Sequence, residues 1–170
     1  MPDMAVPFYD MRPANEACCK QIEAATARVI DRSWYILGEE LEAFEQEFAG
    51  YCGSAHCIGL NSGTDALWLA LLAAGVGPGD EVLTVSHTFV ATAIAIRKSG
   101  ATPVFADVDE KTLLMDIGSA EALVTERTKA ILPVHLYGRC AEPGPILDLS
   151  QRHGIPVIED ACQAHGASLG

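Results

Sequence analysis

The stretch that decides the fold is Asn61-Ser62-Gly63-Thr64-Asp65-Ala66-Leu67. Before it, His56-Cys57-Ile58-Gly59-Leu60 reads as a buried strand; after it, Ala66 to Ala74 is apolar on most sides and reads as a helix. Small polar residues between a strand and a helix mark a helix N-terminus, where unpaired backbone N–H groups and the positive end of the helix dipole collect. A phosphate is a natural occupant of such a turn. Ser62 or Thr64 serves equally well as an ordinary helix cap, and the turn alone does not separate the two readings.

Downstream the unit repeats. Strand 81–85 leads through Ser86-His87 to a helix expected from Thr88 to Ser99, with Gly100 as its stop. Strand 102–106 precedes an acidic loop, Asp107 to Glu110, and a short helix around 119–125. Strand 129–135 passes through Leu136-Tyr137-Gly138 to a helix over 145–153, and a last strand covers 155–160. Apolar strands alternating with helices predict an α/β fold, a mostly parallel sheet with helices on both faces. The glycines of Gly75-Val76-Gly77-Pro78-Gly79 follow a helix and precede a strand, so they form a helix stop and a turn, not a dinucleotide fingerprint. Upstream, helices over about 14–32 and 39–51 flank Ser33-Trp34-Tyr35-Ile36-Leu37-Gly38, with Cys18, Ile22, Ala25, Val29, Leu41, Phe44 and Phe48 expected inward. The expected division is a helical segment over 1–52 and an α/β domain over 53–170.

With 49% hydrophobic residues, 170 residues suffice for a real core. A net charge of −12 supplies no basic footprint for nucleic acid or an anionic membrane. No apolar run reaches spanning length, and Met1 to Pro7 has no basic region leading into an apolar core, so a cytoplasmic protein is expected. The six cysteines form no Cys-x-x-Cys pair and are expected to be buried, reduced thiols.

Ligands of parallel sheets gather at the carboxyl ends of the strands. Those ends carry residues 61–64, 86–89, 135–137 and 160–163, with His165 beyond. Asp160 ends an apolar strand, and a carboxylate at that depth needs a partner. A helix-capping role, a salt bridge to Arg139 or Arg152, or a ligand's protonated ring nitrogen would each serve. Phe89 is a core ring or a stacking face. Gln163 is an exposed amide or a donor on the Asp160 side of the turn. His87, His135 and His165 leave a metal hydrolase as an outside alternative. A phosphate cradle, a stacking ring, a buried Asp and an amide donor are together the parts needed to hold pyridoxal phosphate.

The runs Ser33 to Gly38, Asn61 to Leu67, Thr88-Phe89-Val90-Ala91-Thr92, Pro133-Val134-His135-Leu136-Tyr137-Gly138 and Glu159-Asp160-Ala161-Cys162-Gln163-Ala164-His165-Gly166 resemble the DegT-type (DegT/DnrJ/StrS) nucleotide-sugar aminotransferases. These are fold-type I pyridoxal-phosphate enzymes, and the resemblance covers nearly the whole chain. It implies that Ser62, Gly63 and Thr64 bind the cofactor, with Gly63 and Thr64 at its phosphate, and that no metal is used. It further implies that Phe89 stacks on the pyridine ring, that Asp160 pairs with the ring nitrogen and that Gln163 lies near the phenolic oxygen. Cys162 stands where the family more often has Ala.

The implied reaction moves an amino group from an amino acid, glutamate by expectation, to a nucleotide-linked keto sugar, in a homodimer. Family members carry the Schiff-base lysine soon after the Glu159 to Gly166 run, and this sequence reaches Gly170 without it. The chain is therefore expected to be the amino-terminal part of a large domain. It is expected to be inactive alone, since Lys20, Lys98, Lys111 and Lys129 lie away from the strand ends. Two alternatives stay open: a non-transaminating, sugar dehydratase-like member, and a catalytically silent chain that pairs with a full-length subunit.

Overall fold

The computed structural model describes Pro7 and residues 9–169; Met1 to Val6, read above as lacking a leader, Phe8 and Gly170 lie outside the described residues. The chain divides into two compact units, one ending at Gly59 and the other beginning at Leu60.

The first unit holds α1 (Arg12–Arg32) and α2 (Glu39–Cys52). Pro13 in the first turn of α1 lacks an N–H that the helix would leave unpaired anyway. Glu39, Glu40 and Glu42 in the first turn of α2 suit its positive end. Arg28 meets Glu40 and Arg32 meets Glu39, both at 2.6 Å. The inward faces expected here are largely absent. No residue of α1 is buried, Phe44 is exposed, and Ala49 is the buried residue of α2. Helical spacing fixes which residues share a face, and burial needs a neighbour to cover that face.

The run 56–60 is also a correction. It is unpaired rather than a strand, with Ile58 and Leu60 exposed. The Gly59 N–H goes to a Glu45 carboxylate oxygen at 2.7 Å, and an apolar run without ladder partners is not a strand.

In the second unit, α3 (Gly63–Ala73) precedes β1 (Glu81–Val85), α4 (Ala91–Lys98), β2 (Thr102–Ala106), α5 (Ile117–Ala122), β3 (Thr128–Ile131) and α6 (Pro143–His153). The sheet order is β2-β1-β3, all parallel. The chain leaves β1 in one direction through α4 and returns past it through α5; right-handed crossovers put those helices on opposite faces. β1 is buried at every position. Its Glu81 carboxylate is met by Thr125 Oγ1 at 2.6 Å and by Arg127. β2 is half-exposed, Phe105 included, as an edge strand should be.

The segment 155–160 runs parallel to β3 and its continuation. Ile131 N–H donates to Pro156 O, Ile158 N–H to Ile131 O, Asp160 N–H to Pro133 O and His135 N–H to Asp160 O. The bond missing from this ladder would start at residue 133, and Pro133 has no N–H to give. That gap shortens β3 and leaves 155–160 as isolated bridges, Ile131 to Val157 and Val134 to Asp160, where two longer strands were expected. The core comprises Leu71, Val82, Leu83, Val85, Ile96, Ile131, Leu132 and Leu149, all almost fully buried.

Candidate active site

The chain order reverses between β1 and β3, and at such a switch point the connections leave in opposite directions and open a crevice at the carboxyl ends. A cleft of about 270 Å³ lies there, lined by α3's start (Gly63, Thr64, Leu67), the β1–α4 turn (Thr88, Phe89, Ala91), the β3 continuation (Val134, Leu136) and Asp160, Cys162 and Gln163. Five of the six residues singled out from the sequence thus line one cleft. The sixth, Ser62, is the N-cap of α3, its Oγ accepting from Asp65 N–H at 3.2 Å.

With Ser62 serving Asp65, the Gly63 and Thr64 N–H groups remain without intrahelical acceptors. Gly63 also permits a close approach: a Cβ there would stand 2.5 Å from Cys162 Sγ.

Phe89 precedes α4 rather than lying inside it, since the helix begins at Ala91 and not at Thr88. That keeps the ring out of the core, 65% exposed at the cleft. Gln163 Oε1 accepts the Tyr137 N–H at 3.1 Å, which commits the amide oxygen and turns the NH₂ end free for another acceptor. Tyr137 itself sits at φ +55, a conformation costly for a residue with a Cβ, and this bond helps hold it there.

Asp160 is buried. Its Oδ2 accepts from Thr92 Oγ1 at 2.8 Å and its Oδ1 from Cys162 N–H at 3.2 Å. Thr92 in turn contacts Thr88 Oγ1 at 2.8 Å. The salt bridges considered from sequence do not form: Arg152 pairs with Glu121 at 2.9 Å, and Arg139 reaches the Lys111 carbonyl at 3.4 Å. Partial burial, with the Asp160 carboxylate beside it, pushes the Cys162 thiol up to about 11.

All six cysteines are free, as expected, but none is buried. Cys18 and Cys19 share the uncovered α1, and Cys162 edges the cleft.

Among the histidines weighed as metal ligands, His135 and His87 are held by the fold as follows. The Ala141 N–H donates to His135 Nδ1 at 3.0 Å, which leaves the ring proton on Nε2 facing Glu159 at 3.2 Å. His87 Nδ1 donates to the Leu113 carbonyl at 3.2 Å. Sequence reasoning missed Thr92, which is fully buried. Its signal was its place four residues after Thr88, just inside the start of α4.

The model of the DegT/DnrJ/EryC1/StrS aminotransferase family matches residues 17–170. A curated relative from Streptomyces venezuelae, dTDP-3-amino-3,4,6-trideoxy-alpha-D-glucose transaminase, is 49% identical over 95% of this chain and 43% of its own length. One from Acidithiobacillus ferrooxidans, UDP-N-acetyl-3-dehydro-alpha-D-glucosamine 3-aminotransferase, is 48% identical over 97% of this chain and 45% of its own. Among solved structures, S. venezuelae DesV in complex with a ketimine intermediate superposes with a TM-score of 0.92 at 49% identity, over 95% of this chain and 43% of that one. Ntda from Bacillus subtilis with bound cofactor PMP gives 0.89 at 32% identity, over 99% and 40%. The chain spans less than half the length of these relatives. The chain belongs to the DegT/DnrJ/EryC1/StrS aminotransferase family.

Proposed function

We propose that the cleft binds pyridoxal 5′-phosphate and that the protein is an aminotransferase of nucleotide-sugar biosynthesis. It would pass an amino group from an amino acid, glutamate by family resemblance, to a nucleotide-linked keto sugar. The observation that carries this reading is Asp160, a buried carboxylate at the cleft that accepts bonds from two neutral donors. Neutral donors hold a carboxylate in place without cancelling its charge, which suits it to a ligand cation.

The remaining donor set fits the cofactor. Gly63 and Thr64 offer backbone N–H groups at the positive end of an eleven-residue helix, with no side chain on Gly63 to bar a phosphate. Phe89 offers an exposed ring face, and Gln163 an amide donor for the phenolic oxygen. When bound, pyridoxal phosphate supplies the electron sink on which amino transfer depends. Asp160 would keep a proton on the ring nitrogen, Phe89 would fix the ring plane and exclude water from one face, and α3 would anchor the phosphate.

Lys20, Lys98, Lys111 and Lys129 are all absent from the cleft lining. Lys98 is held elsewhere, 2.9 Å from Asp65 and 3.9 Å from the Trp68 ring centre. These 170 residues alone would therefore not turn over substrate. Residues 53–170 would form the cofactor-binding part of a homodimer acting in the cytoplasm. No helix among the described residues is long and apolar enough to cross a membrane.

The test is a titration of the chain with pyridoxamine 5′-phosphate, which needs no lysine, followed by absorbance. Saturable one-to-one binding, weakened about tenfold or more in Asp160→Asn, is expected. Binding that Asp160→Asn leaves unchanged would refute the assignment.

A further inference from the structure

Three hydroxyl or carboxylate groups stand in a row at the cleft, Thr88, Thr92 and Asp160, with 2.8 Å between each pair of bonded oxygens. Geometry alone leaves the direction of the Thr88–Thr92 bond open, but chemistry fixes it. An ionised carboxylate only accepts, so the Thr92 hydroxyl must give its single proton to Asp160 Oδ2. Thr92 Oγ1 is then an acceptor toward Thr88, and the Thr88 hydroxyl must give its proton to Thr92. Thr88, which lines the cleft, is left with lone pairs only.

We propose that Thr88 and Thr92 form a one-way hydroxyl relay that positions Asp160, and that presents an acceptor-only contact to the cleft at Thr88. Its value to catalysis rests on the cofactor reading above, in which Asp160 faces a ring nitrogen. The relay itself is a property of this chain's own residues.

Two features single it out from ordinary packing. Thr92 is fully buried, so its hydroxyl has no water to fall back on, and Asp160 is buried beside it. Donors in series also polarise one another, so Thr88 strengthens a bond it does not itself make. A consequence for recognition follows. A ligand atom that meets Thr88 must bring the hydrogen, as a hydroxyl or an amine does, whereas a keto oxygen would face another acceptor. Among the groups lining the cleft, Asp160 and Cys162 are the titratable ones. The Cys162 thiol stays neutral through the acid range in which a carboxylate titrates.

The experiment follows the Asp160 carboxyl carbon by NMR in the whole chain labelled with ¹³C-aspartate, the signal being assigned by its loss in Asp160→Asn. Thr92→Val keeps the shape and removes the donor, and at neutral pH the Asp160 signal is then expected to leave its wild-type position. Thr92→Ser should return the signal to the wild-type position. Thr88→Val removes only the outer member of the row and should move the signal in the same direction by a smaller amount. A merely structural pair of threonines would change stability and leave this signal in place.

If Thr92→Val fails to fold, Thr88→Val decides alone. An Asp160 signal unmoved in Thr88→Val, or one that Thr92→Ser does not restore, overturns the relay. A chain that shows these signal changes but does not bind pyridoxamine phosphate would keep the relay and lose the cofactor reading.

Discussion

Gly63 and Cys162 are 99 positions apart in numbering and close enough in space that a Cβ at 63 would stand 2.5 Å from the sulfur of Cys162. Gly63→Ala should therefore destabilise the second unit by about 1–3 kcal/mol through overpacking. In a Cys162→Ala background the next atom is the residue 162 Cβ at 3.6 Å, and the cost should largely vanish. Urea unfolding of the two single variants and the double variant measures this coupling, and simple additivity would mean that the contact carries no weight.

The Cys162 thiol gives a second expectation at this scale. Its pKa is raised from 9.0 to about 11, so the folded state holds the proton more tightly than the unfolded chain. The stability this adds is present below 9.0 and is lost as the pH rises toward about 11. Alkylation reads the same property, because only the thiolate reacts. At about pH 8, iodoacetamide should label Cys162 roughly tenfold or more slowly than a small free thiol of ordinary pKa.

At the scale of elements, α3 shows how one turn meets two demands. Ser62 caps the helix through Asp65, while Gly63 and Thr64 face the cleft. Ser62→Ala should cost about 1 kcal/mol of stability by leaving the Asp65 N–H unpaired. Its effect on pyridoxamine phosphate binding should be smaller than that of Thr64→Val, which removes a hydroxyl at the cleft itself. Thermal melts and titrations of both variants separate the two roles.

The same elements show what the sequence made legible. β1 was readable because every one of its residues is buried, so an apolar run sufficed to mark it. The run 56–60 looks similar in composition, yet strandedness belongs to a pair of segments and, among the described residues, no ladder bond reaches it. Pro133 was visible in the sequence, but its effect, one missing rung between β3's continuation and 155–160, depends on which atoms lie across from it. The residues that line the cleft were legible because strand ends in a parallel sheet converge, whatever the lengths of the strands. Thr92 was not, since its importance lies in a bond to a residue 68 positions away.

For the whole molecule, uncovered apolar surface is the main consequence. Tyr35, Ile36 and Leu37 are 67–80% exposed, and Ile58 is 79% exposed. Surface of this kind invites association. The chain, 18.0 kDa as a monomer, is expected to sediment as a dimer or larger species at micromolar concentration. A sharp monomer boundary would remove the argument for self-pairing. With no lysine at the cleft, borohydride reduction in the presence of pyridoxal phosphate should leave no single stoichiometric lysine adduct. One specific adduct accompanied by amino transfer to a keto sugar would show that these residues suffice for turnover.

The central claim is that Asp160 holds the ring nitrogen of the cofactor in its protonated form. It is tested most directly by ¹⁵N NMR of ring-labelled pyridoxamine 5′-phosphate bound to the chain, compared with the same ligand bound to Asp160→Asn. The wild-type chain should keep the nitrogen protonated to a pH at which the free ligand has lost that proton, and Asp160→Asn should abolish the difference. A bound ligand whose nitrogen titrates as it does in free solution, and identically in both proteins, would contradict the account.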